Sequence, residues 1–393
     1  MRHPIVRYVG LCLSLALPCG TPALAAPTFE VTYTHTPAGS EDAVMYLTNN
    51  AFSDDEQYFV FGRRPRGDNK YLFYRRDMAS GEETPIPTRD AASLHGVVSG
   101  DRLFVIDSEG GAPALVSIGL RDFDRRVIWA LPLDMSPSGK MRITSPSVAA
   151  HGTVFAITMA DRLVASSTTK LHAANDAIMA SPARSYLFVG RQQADGQWAV
   201  RKIFEKRSSG DGWLGHVQLT PSGDGVVYEL EGNGERIAHR IWYVDLLTLQ
   251  HTPFGQDNAP CNRATHGYMV GDRLFAYMTT AHDTAFAWGD LRNGTYTTVA
   301  ALGHQQHVAV FPLADGRLAV IGDGKPDGAR TVVRYIIDGA RIASRTDVAT
   351  RGNYADWEPY HVHGRFSPSG AWYVGTYADR DRASVFMVKD PLK

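Results

Sequence analysis

The stretch SPSGAWYVGTY, residues 367 to 377, is a tight turn followed by a strand in which apolar residues alternate with small or polar ones. Six other segments repeat its plan: SDDEQYFVFG from 53, SGDRLFVID from 99, AHGTVFAIT from 150, SGDGVVYEL from 222, VGDRLFAYM from 270 and ADGRLAVIGD from 314. Gly, Asp and Ser suit the turn because they accept left-handed backbone or bond their own main chain. The β-branched and aromatic residues that follow fit a pleated, half-buried surface. Copies recur at intervals of about 45 to 55 residues, with one wider gap that holds the further strand-like segment SYLFVGRQQADGQWAVRKIF. A period of that length accommodates four strands per unit, which is the construction of a propeller blade. The sequence therefore predicts an all-β chain forming a seven-bladed β-propeller as a single domain. A pair of β-sandwich domains is the competing architecture, but no Pro/Gly/Ser-rich linker divides the chain.

Composition narrows the partners. The 393 residues are 44% hydrophobic with a net charge of −1, so the basic footprint expected for nucleic acid or an anionic membrane surface is missing. At the N-terminus, Arg2 and Arg7 precede a short apolar run and the small-residue site Ala23-Leu24-Ala25, the pattern of a secretory signal peptide spanning 1–25. The mature domain is then 26–393, periplasmic or secreted, and no later stretch reads as a membrane span. Cleavage removes Cys12 and Cys19 and leaves Cys261, a lone thiol that is either buried or a metal ligand.

In a propeller the strand before the first tight turn of each unit lies innermost, and its side chains line the channel. Histidines collect at that place: His95 in unit two, His216 in unit four, His266 in unit five, His307 in unit six, and His361 with His363 in unit seven. Unit one carries Asn49 and Asn50 there. One reading is structural, each imidazole bonding to the next blade. The other is chemical. Alternate residues of an extended strand share a face, so His361 and His363 reach the same point. Glu358 joins them if Pro359 bends the chain, and His266, with Cys261 five residues before it, completes a donor set suited to manganese or zinc. Asn50, His95 and His307 are then expected to contact the substrate.

Several segments, MYLTNNAFSDDEQYFVFG, GHVQLTPSGDGVVYELEGNGERIAHRIWYVD, ATHGYMVGDRLFAYM and EPYHVHGRFSPSGAWYVGTYADRD, together resemble the oligogalacturonate lyases, seven-bladed propellers that cleave uronate-containing oligosaccharides. The resemblance runs from about residue 40 to the C-terminus and is patchy between 85 and 210. It implies a divalent metal, typically manganese, on His266 and on a Gln-x-x-His-x-His motif that falls here on Glu358, His361 and His363, with glutamate in place of glutamine. It also implies a catalytic base at His216 and an assisting arginine, Arg191 by spacing, with Arg201 and Arg240 as alternatives. Tyr228 is a reserve acid. The implied reaction is β-elimination, in which a base removes the C5 proton of a uronate whose carboxylate has been neutralised. No Gly-x-Ser-x-Gly elbow accompanies these residues, which argues against a propeller-bearing serine hydrolase. A non-catalytic propeller that binds a sugar or a protein is the alternative function.

Overall fold

The computed structural model describes residues 29–392 except 47, 69, 91–93, 136–140, 162–179, 181–182, 209–211, 233–236, 256–263, 280–284, 300–301, 303–306, 324–330 and 353–360, and excludes the side chains of 264–266 and 279. Each of the seven predicted turns joins the first strand of a blade to the second. The innermost strands are Ser40–Ala43, Gly96–Ser99, Ser147–Ala149, Trp213–Leu219, Ala264–Val270, Val308–Pro312 and Arg365–Phe366, for blades 1 to 7 in order. Six sheets have four antiparallel strands; blade 3 has five, because Met141–Ile143 pairs with Val154–Asp161 beside Ser147–Ala149. The wide gap in the repeat belongs to this blade, and its extra segment forms the strands Arg184–Gln192 and Trp198–Arg207.

Ring closure is visible only in three dimensions. The outermost strand of blade 7 is Val31–Tyr33, paired antiparallel with Arg382–Lys389, so the start of the described chain is hydrogen-bonded to its end. This leaves no blade of the ring with a missing strand. Apolar faces of neighbouring sheets pack on one another: Phe52, Phe59, Phe61 and Phe73 of blade 1 are fully buried in a cluster that also takes Val98 and Leu103 of blade 2 and Val374 and Val385 of blade 7. No helix among the described residues is long and apolar enough to cross a membrane.

Candidate metal centre and its imidazole partner

At the mouth where the innermost strands begin, blades 6 and 7 bring three histidines together. One nitrogen from each of His307, His361 and His363 lies within 4.8 Å of the others, and all three residues are buried. Their rings contact in every pairing, with centroids 4.6 to 5.4 Å apart. The backbone achieves this differently from the expectation of one extended strand, for the regular strand of blade 7 begins only at Arg365. His363 instead adopts a left-handed conformation, with φ of 42°, which is costly for a side chain with a Cβ. The adjacent Gly364 is required because an added Cβ would stand 1.8 Å from the Tyr373 hydroxyl oxygen.

His307, expected from its repeat position to contact the substrate, packs against these rings. Asp323, on the far side of the blade 6 hairpin, accepts from the His307 backbone N–H at 3.2 Å and from Nδ1 at 3.1 Å. That bond fixes the orientation of the His307 ring and leaves its other nitrogen, Nε2, for a ligand. Three imidazole nitrogens, one of them on a ring oriented by a carboxylate, fit a borderline divalent cation such as zinc, and manganese would want oxygen donors beside them. His266 lies on the innermost strand of blade 5 at its register shift, between Thr265 and Tyr268. Glu358 and Cys261 fall outside the described residues.

His216 sits where the innermost strand of blade 4 slips register between Leu214 and Val217. Its ring is stacked on Tyr46 of blade 1, with centroids 4.8 Å apart and planes 5° apart, and the Tyr46 hydroxyl is 3.3 Å from Nε2. Tyr46 also touches His363, at 5.2 Å between centroids, and so connects His216 to the imidazole cluster. Glu231 Oε1 approaches the same nitrogen, 3.6 Å from His216 Nε2. Gly215 makes this possible, since a Cβ there would lie 2.1 Å from Glu231 Cγ.

Glu231 and Glu229 alternate on one strand and therefore share a face. Arg240 reaches both, at 3.1 Å and 3.4 Å. Burial works to raise both carboxyls. For Glu231 the charges of Arg240, His216 and Arg142 win, and its pKa falls below the usual carboxylate range. For Glu229 burial wins and the pKa rises, although Gly267 N–H donates to its Oε1 at 3.3 Å. Arg240 is thus committed to two carboxylates beside His216. Burial opposes its charge, but Glu231 and Glu229 raise its pKa.

Other expected residues are placed elsewhere. Arg191 lies at the far end of Arg184–Gln192 and donates to the Gly223 carbonyl at 2.6 Å, at the opposite end of blade 4 from Glu231. Tyr228 occupies the reverse face of its strand from Glu229 and Glu231, packed on Phe204 and Trp242 with its hydroxyl 3.1 Å from His251 Nδ1. Asn50 spends its amide on the carbonyls of Phe52 and Val98 and on the Phe52 N–H, joining blades 1 and 2. His95 bonds Ser145 at 2.5 Å and lines a separate cavity of about 320 Å³ with Asp90 and Asp107.

Comparison with known proteins agrees with this architecture. No protein-family model matches the sequence, and no curated protein does. Among solved structures, an oligogalacturonate lyase in complex with manganese superposes with a TM-score of 0.74 at 16% identity, over 93% of this chain and 98% of that one. The chain shares its fold with the oligogalacturonate lyases. A second such enzyme, from Vibrio parahaemolyticus, gives 0.73 at 13% identity, over 93% of this chain and 97% of that one. A chain of the mitotic checkpoint complex, at 0.51 and 13% identity over 98% of each chain, carries a related ring, so the fold alone does not fix an activity.

Asp323, Glu231 and Tyr46 escaped the sequence reading. Glu231 was legible in principle, as the alternation Glu229-Leu230-Glu231 on the strand that follows His216 puts two acids on one face. Tyr46 had no such signal, because it lies between Ala43 and Ala51 where the innermost strand of blade 1 is interrupted.

Proposed function

We propose that the protein is an exported polysaccharide lyase that cleaves uronate-containing oligo- or polysaccharides by β-elimination. The observation that carries this reading is the bridge from His216 through Tyr46 to the imidazole cluster of His307, His361 and His363. It supports a proton acceptor working beside a cation-binding pocket at one mouth of the channel. The manganese complex of the structurally similar oligogalacturonate lyase supports the same reading.

In this scheme His307, His361 and His363 hold the divalent metal, with Glu358 and His266 as further ligands. When bound, that ion acts as a Lewis acid on the uronate carboxylate and makes the C5 proton removable. His216 accepts the C5 proton at Nε2, and Glu231 places negative charge beside the ring that becomes positive. The electron pair forms the C4–C5 double bond and expels the glycosidic oxygen from C4. The Tyr46 hydroxyl protonates that oxygen and recovers its proton from His216, 3.3 Å away. The cycle closes with both residues in their starting states. Arg240 keeps Glu231 ionised rather than clamping the substrate, because both of its carboxylate partners are internal.

Incubation of the metal-loaded protein with polygalacturonate, ulvan and other uronate polymers tests the proposal. A rising ultraviolet band of unsaturated uronate is expected on at least one polymer; silence across a broad panel removes the lyase reading.

A further inference from the structure

Arg365 is a buried positive charge with open donors. Its side chain leads from blade 7 toward blade 1, where Nη2 donates to the carbonyl of Met45, to that of Tyr46 at 2.6 Å and, more weakly, to that of His363 at 3.5 Å. The residue is 1% exposed. Among the described residues, Nε and Nη1 have no hydrogen-bond partner and Arg365 makes no ion pair. Arg63, Arg64 and Arg240, which are less enclosed, each meet at least one carboxylate. A guanidinium cannot discharge itself by losing a proton. Backbone carbonyls satisfy one of its nitrogens but supply no opposite charge.

We propose that Arg365 binds a monatomic halide, chloride in solution, inside the channel beneath the imidazole cluster. A water molecule could accept from Nε or Nη1, but it would leave the charge uncompensated in a low-dielectric interior. A carboxylate, sulfate or phosphate needs more room and more donors than a fully enclosed side chain offers. A halide needs only a small space and a few N–H or O–H donors. Tyr268 and Tyr373 are close enough to interact electrostatically with the guanidinium, and the Tyr373 hydroxyl passes over Gly364, the residue before Arg365. Tyr268 also lines a cavity of about 500 Å³ that opens at the other mouth of the ring. The ion would fix the guanidinium that grips the Tyr46 carbonyl. This inference is independent of the reaction proposed above.

Crystals of the wild-type protein grown with bromide in place of chloride test it directly. An anomalous bromide peak in contact with the Arg365 guanidinium is expected, and a map with no such peak overturns the proposal. In solution, thermal unfolding at constant ionic strength should shift upward by a few degrees as gluconate is exchanged for chloride, reaching a plateau in the millimolar range. The Arg365→Met variant should show no saturable shift. A bromide peak without any saturable chloride effect on the wild type means binding at crystal concentration only and also overturns the proposal. If Arg365→Met fails to fold, the wild-type map and titration decide alone.

Discussion

Tyr46 of blade 1 and His216 of blade 4 lie face to face across the channel, 4.8 Å between ring centroids, although two blades separate them on one side of the ring and three on the other. The contact joins residues 170 positions apart, so only the closed propeller can make it. Removing the hydroxyl alone, with Tyr46→Phe, keeps the stacked ring and deletes the proposed acid. Turnover on the responsive polymer should fall by ~10²- to 10⁴-fold while the melting temperature and metal content are retained. Steady-state kinetics beside elemental analysis checks this; an unchanged kcat would remove Tyr46 from the reaction.

Asp323 orients one ring of the cluster. Asp323→Asn weakens the acceptor for His307 Nδ1 and allows the ring to turn. Affinity for manganese or zinc should drop by about 10- to 100-fold, as for other carboxylates behind metal-binding histidines. A chelator-competition titration measures it. Equal affinity in the variant would show that His307 contributes nothing to the centre.

Glu229 and Glu231 should affect stability with opposite sign. The folded pKa of Glu231 is depressed, so its contribution is present above the ordinary carboxylate value near ~4.3 and is lost as pH falls through the lower folded value. The folded pKa of Glu229 is raised, so its ionisation costs stability as pH rises above that ordinary value. At neutral pH, Glu231→Gln should be less stable than wild type and Glu229→Gln as stable or more so. Both differences should shrink on acidification below the ordinary value. Urea denaturation at a series of pH values reads the two curves, and equal signs would contradict the assignment of the charges.

Positions that the structure sets apart from His216 give the reverse expectation. Arg191→Ala loses one bond to the Gly223 carbonyl, and Tyr228→Phe loses one to His251. Each should leave kcat within a few fold of wild type. A loss comparable to that of His216→Ala, whose turnover should vanish with its metal content intact, would return them to the catalytic group.

The contrast between these residues shows what the sequence could reveal. All seven turns were readable because each blade must pass from its innermost strand to the next through a tight turn, and residues such as Gly100, Gly223, Gly271, Gly316 and Gly370 take the left-handed conformation there. The order of the innermost strands followed, and with it the mouth at which His216, His307, His361 and His363 gather. Which way each ring points did not follow. His307 faces the cluster because Asp323 holds it, and Asn50 faces away because three backbone groups capture its amide. Ring closure by Val31–Tyr33 was hidden for a similar reason, since a short outer strand carries no periodic pattern of its own.

The central claim is that bond cleavage proceeds by elimination rather than by hydrolysis, and product mass distinguishes the two. A responsive uronate oligosaccharide digested by the metal-loaded protein in ¹⁸O-water should give two fragments whose masses sum to that of the substrate, one carrying a double bond and neither carrying the label. Fragments that together exceed the substrate by one labelled water would contradict the account.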